Sequence, residues 1–397
     1  MFEKEKIKSW LPFEKIEPSA LEQIDNMSNH PKLSGHIAIM PDVHAGKGCV
    51  IGSVFPLYNA VCPAAVGVDI GCGVTTLKTN IKANDVKPYF DEIHEFIINN
   101  IPLGYNHRSE NQTKKLKVNR DYKELISTYQ KLYKDDTIMR QLGTLGGGNH
   151  FIELQEDSNN YLWIMIHSGS RNIGHKIASK YINIAKEQCS IIKVPVDLEY
   201  LDSGYETLDA YMKEMKFAVN FAYMNRQFML GLIFSKLMAI FSCRQDNYAD
   251  SIDIPHNYVF VENINGKNVF VHRKGAIYLG GGTRGIIPGS MGSSSYIVTG
   301  KNNQDAYLSC SHGAGRAMSR NAARGKIDRK TGELKSQGKL SVSDFSEDMK
   351  NIYTKNIDIN HLDEAPRAYK NIDEVMEYQK DLVNIIEVLK PIFNIKG

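Results

Sequence analysis

The run Pro63-Ala64-Ala65-Val66-Gly67-Val68-Asp69-Ile70-Gly71-Cys72-Gly73-Val74 places a carboxylate and a thiol three residues apart in a stretch stripped of bulky side chains. Small residues let the backbone come close to something. Asp69 offers a hard oxygen and Cys72 a soft sulfur. A structural zinc site usually takes Cys and His alone. One Asp with one thiolate suits instead a reactive centre for manganese, zinc or iron, in which the sulfur can bridge two ions. Taken alone, the pattern is equally that of a buried cysteine beside a turn aspartate, so the rest of the chain decides.

Working outward, four more segments show a histidine framed by small residues. They are Gly146-Gly147-Gly148-Asn149-His150-Phe151-Ile152-Glu153, Ile166-His167-Ser168-Gly169-Ser170-Arg171, Pro255-His256-Asn257 and Ser311-His312-Gly313-Ala314-Gly315-Arg316. A further run, Pro288-Gly289-Ser290-Met291-Gly292-Ser293-Ser294-Ser295, carries hydroxyls in place of histidine. Asp69, Cys72, His150, His167 and His256 make five donors, one too many for a tetrahedral ion and suited to two ions sharing the thiolate. Glycines expose backbone N–H groups that can cradle phosphate oxygens. Arg171 and Arg316 each follow a histidine and can clamp a phosphate bidentately. His312 has a collar of small residues, so a phosphate can reach its ring and be attacked by it. The resulting P–N bond breaks readily when the ring leaves as neutral imidazole, and a metal would neutralise the charge that repels the nucleophile.

Composition narrows the class. The chain has 397 residues, 42% apolar and 23% charged, which favours a packed core over disorder. A net charge of +3 means that any nucleic-acid contact must come from a local basic patch. Cys49, Cys62, Cys72, Cys189, Cys243 and Cys310 are scattered with no C-x-x-C pair, which is not a disulfide framework. The charged opening Met1-Phe2-Glu3-Lys4-Glu5-Lys6 has no apolar segment behind it, and the longest apolar stretches fall short of a membrane span. These features predict a soluble cytoplasmic protein without a membrane partner.

Periodicity predicts strands within 36–57, an amphipathic helix over 85–100, and a buried strand Tyr161-Leu162-Trp163-Ile164-Met165-Ile166 that ends at His167. Residues 207–241 carry helical spacing for many turns and read as a scaffold helix. Asn265-Gly266 predicts a hairpin between Asn257-Tyr258-Val259-Phe260-Val261 and Asn268-Val269-Phe270-Val271. The lysine-rich stretch 324–340 reads as a solvated or RNA-facing loop, and a helix is expected over 372–389.

These motifs resemble the RtcB family of RNA-splicing ligases. The resemblance runs from Pro41-Asp42-Val43-His44-Ala45-Gly46 to Lys396-Gly397. It is most specific at Gly67-Val68-Asp69-Ile70-Gly71-Cys72-Gly73, at Gly147-Gly148-Asn149-His150 and at His312-Gly313-Ala314-Gly315-Arg316. It implies a manganese- and GTP-dependent ligase that joins an RNA 3′-phosphate or 2′,3′-cyclic phosphate to a 5′-hydroxyl, in RNA repair or tRNA splicing. Carried over, Cys72 bridges two manganese ions, with Asp69 and His150 completing one site and His167 and His256 the other. His312 takes up GMP. Asn149, Phe151, Glu153, Asn257, Ser290, Met291, Ser295, Gly313, Ala314, Gly315, Tyr369 and Lys396 surround the nucleotide. Asp42 matches an acidic position near the metals, as base or orienter. A helper protein that speeds guanylylation is known for some relatives, and the sequence shows neither that need nor an oligomeric state.

The chain contains no Asp-Gly dipeptide, which removes the Lys-x-Asp-Gly nucleophile of ordinary nucleotidyl ligases. Two other readings use the same residues: an enzyme that processes RNA ends without efficient joining, and a non-catalytic metal- and RNA-binding homologue. The expected fold is mixed α/β (α+β). It is a single large domain over 1–397, with stacked sheets around a central metal site and a helical insertion at 207–241.

Overall fold

A computed structural model describes residues 1–114, 118–241, 251–327 and 334–397. Its architecture is mixed α/β, with two large sheets stacked face to face. One sheet orders its strands Phe2–Lys4, Ile7–Ser9, Ile37–His44, Ile51–Leu57, Lys267–Lys274 and Asn257–Ile264. The other runs Ser251–Pro255, Gly73–Lys82, Tyr161–Ser168, Phe151–Glu156, Val383–Lys396, Ser295–Gly300 and Arg284–Ile287.

The period-2 alternation of a strand explains the layering. In Tyr161–Ser168, Trp163 and Met165 enter the core between the sheets, beside Ala38, Met40, Val54 and Val271 of the other sheet. Leu162, Ile164 and Ile166 point the opposite way and pack on Ile93 and Ile97 of helix Phe90–Asn100 and on Met229 and Ile233 of helix Glu206–Phe241. The first sheet is covered likewise, with Ile37, Ile39 and Phe55 against Ile24 and Met27 of helix Pro18–Ser28. A strand buried on both faces reads as an unbroken apolar run, as Tyr161–Ile166 does. Among the described residues no helix is long and apolar enough to cross a membrane. Cys49, Cys62, Cys72, Cys189 and Cys310 are free and buried; Cys243 lies outside the described residues.

The strand, hairpin and long-helix expectations match Ile37–His44, Ile51–Leu57, Tyr161–Ser168, the pair Asn257–Ile264 and Lys267–Lys274, and Glu206–Phe241. Two do not. The helix expected over 372–389 stops at Tyr378, and Val383–Lys396 is a strand between Phe151–Glu156 and Ser295–Gly300. Val383, Ile385, Ile386 and Val388 are β-branched, and two long-range pairings outweigh a local helical pattern. The stretch 324–340 is not a simple loop, because Gly325–Ile327 pairs with Leu334–Gln337; residues 328–333 lie outside the described residues.

Candidate active site

The alternation that builds the inter-sheet core also delivers the polar residues. In Ile37–His44, Ala38 and Met40 face that core, so Asp42 and His44 face the same way. Ile252 and Ile254 are followed in step by His256, where the chain leaves one sheet for the other. Cys310 is followed by His312, Val74 is preceded by Cys72, and Trp163 and Met165 lead to His167. Register then aligns neighbours across the second sheet: Val74 opposes His167, His167 opposes Phe151, and Phe151 opposes Lys396. One end of the sandwich core is thereby lined with chemistry instead of hydrocarbon.

That end is a cavity of about 490 Å³, a volume in the range of small-molecule sites. Its wall includes Asn149, Phe151, Glu153, His167, His256, Ser290, Met291 and His312. Gly313, Ala314, Gly315, Tyr369 and Lys396 complete the expected members. Asn257 and Ser295 are not on the wall. The Asn257 amide donates to the Asp69 carbonyl at 3.2 Å and its Oδ1 accepts the Gly275 N–H at 3.0 Å, so it braces the cysteine turn. Ser295 Oγ accepts from Gln155 Nε2 at 3.0 Å and from the Gly289 N–H at 3.2 Å, behind the serine loop. Both side chains are held by partners distant in sequence, which short sequence motifs do not reveal.

Asp69, Cys72 and His150 lie off that wall, in contact with it through His167. Cys72 Sγ is 3.4 Å from His150 Nε2 and 3.2 Å from His167 Nε2, and His150 Nε2 is 3.1 Å from Asp69 Oδ2. The donor atoms of Cys72, His150 and His167 lie within 4.8 Å of one another. His256 stands beside this cluster, its ring centroid 5.1 Å from that of His167 and 4.7 Å from that of His312. Gly146 must be glycine: a β-carbon there would sit 2.3 Å from His150 Nδ1 and 2.2 Å from Arg171 Nη1.

These residues fit divalent cations. His167 Nδ1 lies 3.1 Å from the Asn149 carbonyl, which takes its N–H and leaves the Nε2 lone pair toward the sulfur. Burial, with the neighbouring imidazoles, holds His167 and His256 well below the usual histidine range, so both stay neutral as ligands must. His256 Nδ1 is buried with no hydrogen-bond partner among the described residues, a deficit that a cation would remove. Burial and then the Asp69 charge push the Cys72 thiol well above its ordinary value, and a bound cation is the standard means of reversing that. Burial resists the charge on Asp69, yet the hydrogen bond and field of His150 outweigh it and draw the carboxyl down to about 2.

His312 is held by Asp42. Its Nδ1 is 2.6 Å from Asp42 Oδ2, and the same oxygen accepts the His312 backbone N–H at 3.1 Å. With Nδ1–H donated to the carboxylate, Nε2 carries the free lone pair. Gly315, at φ +71°, lets the loop seat on this strand, since a β-carbon would lie 2.1 Å from the Asp42 carbonyl oxygen.

Several participants escaped the motif reading. Glu364 is buried behind three wall residues: one oxygen accepts Lys396 Nζ at 2.8 Å and Tyr369 Oη at 2.6 Å and the other accepts Arg320 Nη1 at 2.6 Å. Lys396 and Arg320 outweigh burial and hold its carboxyl down at about 2. The signal lies in Glu364-Ala365-Pro366-Arg367-Ala368-Tyr369, a run from which the family resemblance takes only the tyrosine. Arg316 lies over the Tyr369 ring and lines the cavity. Arg171 instead binds Thr144 Oγ1 at 3.1 Å and the Gly104 carbonyl at 2.7 Å.

Glu153 offers a pH test. Burial pushes its carboxyl up to about 7 from an ordinary 4.5, opposed by Lys396, Gln155 and Asn394. Between these values the unfolded chain has lost the proton and the folded protein keeps it, so stability falls as pH rises through the window. Glu153→Gln removes that loss, and the buried, unpartnered Gln155 Oε1 and Asn394 Oδ1 can accept from the new amide. Chemical unfolding should show the variant gaining up to about 3 kcal/mol over the parent at pH 8 and little at pH 4. A gain independent of pH would contradict the buried-carboxyl account.

Comparison with known proteins agrees with this geometry. The family model described as "tRNA-splicing ligase RtcB" matches residues 23–397. The chain is 39% identical to the RNA-splicing ligase RtcB of Escherichia coli (strain K12), over 98% of this chain and 97% of that one. It is 30% identical to the tRNA-splicing ligase RtcB of Methanococcus maripaludis, over 98% and 93%, and 28% identical to that of Thermococcus kodakarensis, over 95% and 91%. Near full-length coverage, together with histidines, cysteine and aspartates gathered at one end of the sandwich, establishes that this chain belongs to the RtcB family.

Proposed function

We propose that the protein is an RNA ligase that uses GTP and manganese to join an RNA 3′-phosphate or 2′,3′-cyclic phosphate to a 5′-hydroxyl. The observation that carries the reading is His312, oriented by Asp42 at 2.6 Å on the wall of a nucleotide-sized cavity. Its ring stands 4.7 Å from that of His256.

His312 Nε2 attacks the α-phosphorus of GTP, and the bond to pyrophosphate breaks. The proton on Nδ1 remains shared with Asp42, which balances the charge on the substituted ring. An RNA 3′-phosphate oxygen then attacks the same phosphorus, and the ring leaves as neutral imidazole. The 5′-hydroxyl attacks the activated RNA phosphate, forming the phosphodiester and releasing GMP, whose departing phosphate takes up the hydroxyl proton. Asp69, Cys72, His150, His167 and His256 would hold manganese, which would neutralise phosphate charge and make water acidic enough to open a cyclic end. Arg316 and Arg320, at the cavity wall, add fixed positive charge for phosphate oxygens. Glu153 in its ionised form accepts from the guanine N1–H and amino group.

Incubation with Mn²⁺ and α-labelled GTP tests the first step. Acid-labile label on the protein, absent in His312→Ala, is the expected result. An RNA pair bearing 3′-phosphate and 5′-hydroxyl ends should then be joined. Label without joining would point to end processing, and no label to a non-catalytic homologue.

Lys396 gives a second check. Its ammonium lies over the Phe151 ring and pairs with Glu364. Lys396→Ala should raise the GTP concentration for half-maximal labelling by about 10- to 100-fold, the loss of roughly one charge-assisted contact. Metal content should not change. Unaltered GTP dependence would place the nucleotide elsewhere.

A further inference from the structure

Helix Glu206–Phe241 forms part of the outer layer, as its sequence suggested. Two adjacent residues in its middle are not scaffold hydrocarbon. Asn225 and Arg226 are fully buried polar side chains, and no step of the proposed reaction uses either.

Arg226 reaches three segments at once. Its Nη1 donates to the carbonyl of Gly71 at 3.0 Å and to that of Ser168 at 2.9 Å. Its Nε and Nη2 grip the Asp253 carboxylate at 2.8 and 2.6 Å. Gly71 lies in the Asp69–Cys72 turn, Ser168 directly follows His167, and Asp253 lies in the strand that ends at Pro255, next to His256. Asn225 secures the fourth segment. Its Oδ1 accepts the N–H groups of Gly143 and Thr144 at 2.7 and 3.0 Å, and its Nδ2 donates to the Thr144 carbonyl at 2.9 Å and the Gly169 carbonyl at 3.3 Å. Residues 143–146 lead into the glycine run before His150. The helix itself presses on the cysteine turn, because a β-carbon on Gly71 would lie 2.7 Å from Val219 Cα.

We infer that Asn225 and Arg226 are positioning residues that set the relative placement of the cysteine turn and the three histidine segments, and through it the affinity and geometry of the metal centre. The inference rests on reading Asp69, Cys72, His150, His167 and His256 as that centre. A planar guanidinium suits the task because its donors point in fixed directions, which a lysine cannot reproduce. The bidentate Asp253 pairs with its charge, so the clamp is not an isolated buried cation.

The test uses the full chain, freed of metal by chelation and titrated with Co²⁺, following the near-ultraviolet thiolate-to-cobalt charge-transfer band. Cys72→Ala should abolish the band and so certify the readout. Arg226→Lys should weaken Co²⁺ binding by about 10- to 100-fold, the usual cost of altering an outer partner of a metal site, and alter the band. Asn225→Ser, a milder change, should weaken it by about 10-fold. Ile233→Ala, in the apolar layer of the same helix, should lower the unfolding temperature without moving Co²⁺ affinity. Arg226→Lys with wild-type affinity and an unchanged band overturns the inference. So does a weakening no greater than that of Ile233→Ala at equal loss of stability. Should Arg226→Lys fail to fold, Asn225→Ser decides by the same criteria. A wild-type protein with no Cys72-dependent band overturns the metal-centre reading itself, and the clamp with it.

Discussion

Asp42→Asn is expected to slow guanylylation of His312 by on the order of 10³- to 10⁴-fold, the scale seen when the carboxylate that orients a catalytic imidazole becomes an amide. Asp42 Oδ2 holds the ring Nδ1 at 2.6 Å and the backbone N–H at 3.1 Å. An asparagine that turns its NH₂ toward Nδ1 makes that nitrogen the acceptor, so the ring proton moves to Nε2 and the attacking lone pair is lost. The opposite orientation keeps the tautomer. It then buries the NH₂ at the Asp42 Oδ1 position, which has no hydrogen-bond partner among the described residues, and an unsatisfied donor costs about 1–3 kcal/mol. Either orientation removes the negative charge that balances the phosphorylated ring. Single-turnover labelling with α-labelled GTP measures the effect. His312→Ala should give no label at all. An Asp42→Asn protein labelled within threefold of the parent rate would show that something other than this carboxylate orients the ring.

Cys72→Ala should be as damaging, through a different route. The sulfur lies 3.4 Å from His150 Nε2 and 3.2 Å from His167 Nε2, within reach of both rings. On the two-ion reading proposed above, the shared thiolate would serve both ions, so its loss should empty both sites, whereas His150→Ala should remove one donor of one. Labelling should fall by at least on the order of 10³-fold, beyond the 10- to 100-fold typical of an outer partner of a metal ligand. Bound manganese, measured after desalting, should fall below that of His150→Ala. Because alanine at a buried cysteine is a small loss of volume, the variant should stay folded. Wild-type manganese content in Cys72→Ala would end the shared-thiolate account.

Much of this side-chain cluster was legible before the fold was. Each glycine-framed histidine sits at a strand end, and each of Asp42, His167, His256 and His312 continues the inward parity of apolar neighbours such as Met40, Met165, Ile254 and Cys310. That parity is a local property of the chain. The parts that were not legible depend on pairing between distant segments. The residues after Tyr378 carry spacing that suits a helix, yet they fill the gap between Phe151–Glu156 and Ser295–Gly300 and become a strand. Glu364 looks like a surface acid until Lys396, Tyr369 and Arg320 close on it. Asn257 and Ser295 look like wall residues until Asp69 and Gln155 claim their hydrogen bonds.

By itself the sequence determined which donor and nucleophilic atoms the chain can offer at one end of its strands, because donor chemistry and strand parity are written in residue order. Only the tertiary structure decided which of them meet. The spacing between Cys72, His150, His167, His256 and His312 is set by sheet register, by the crossover at His256 and by a helix pressed against the cysteine turn. Contacts of that kind join residues tens to hundreds of positions apart, and their order along the chain does not encode the distances between them.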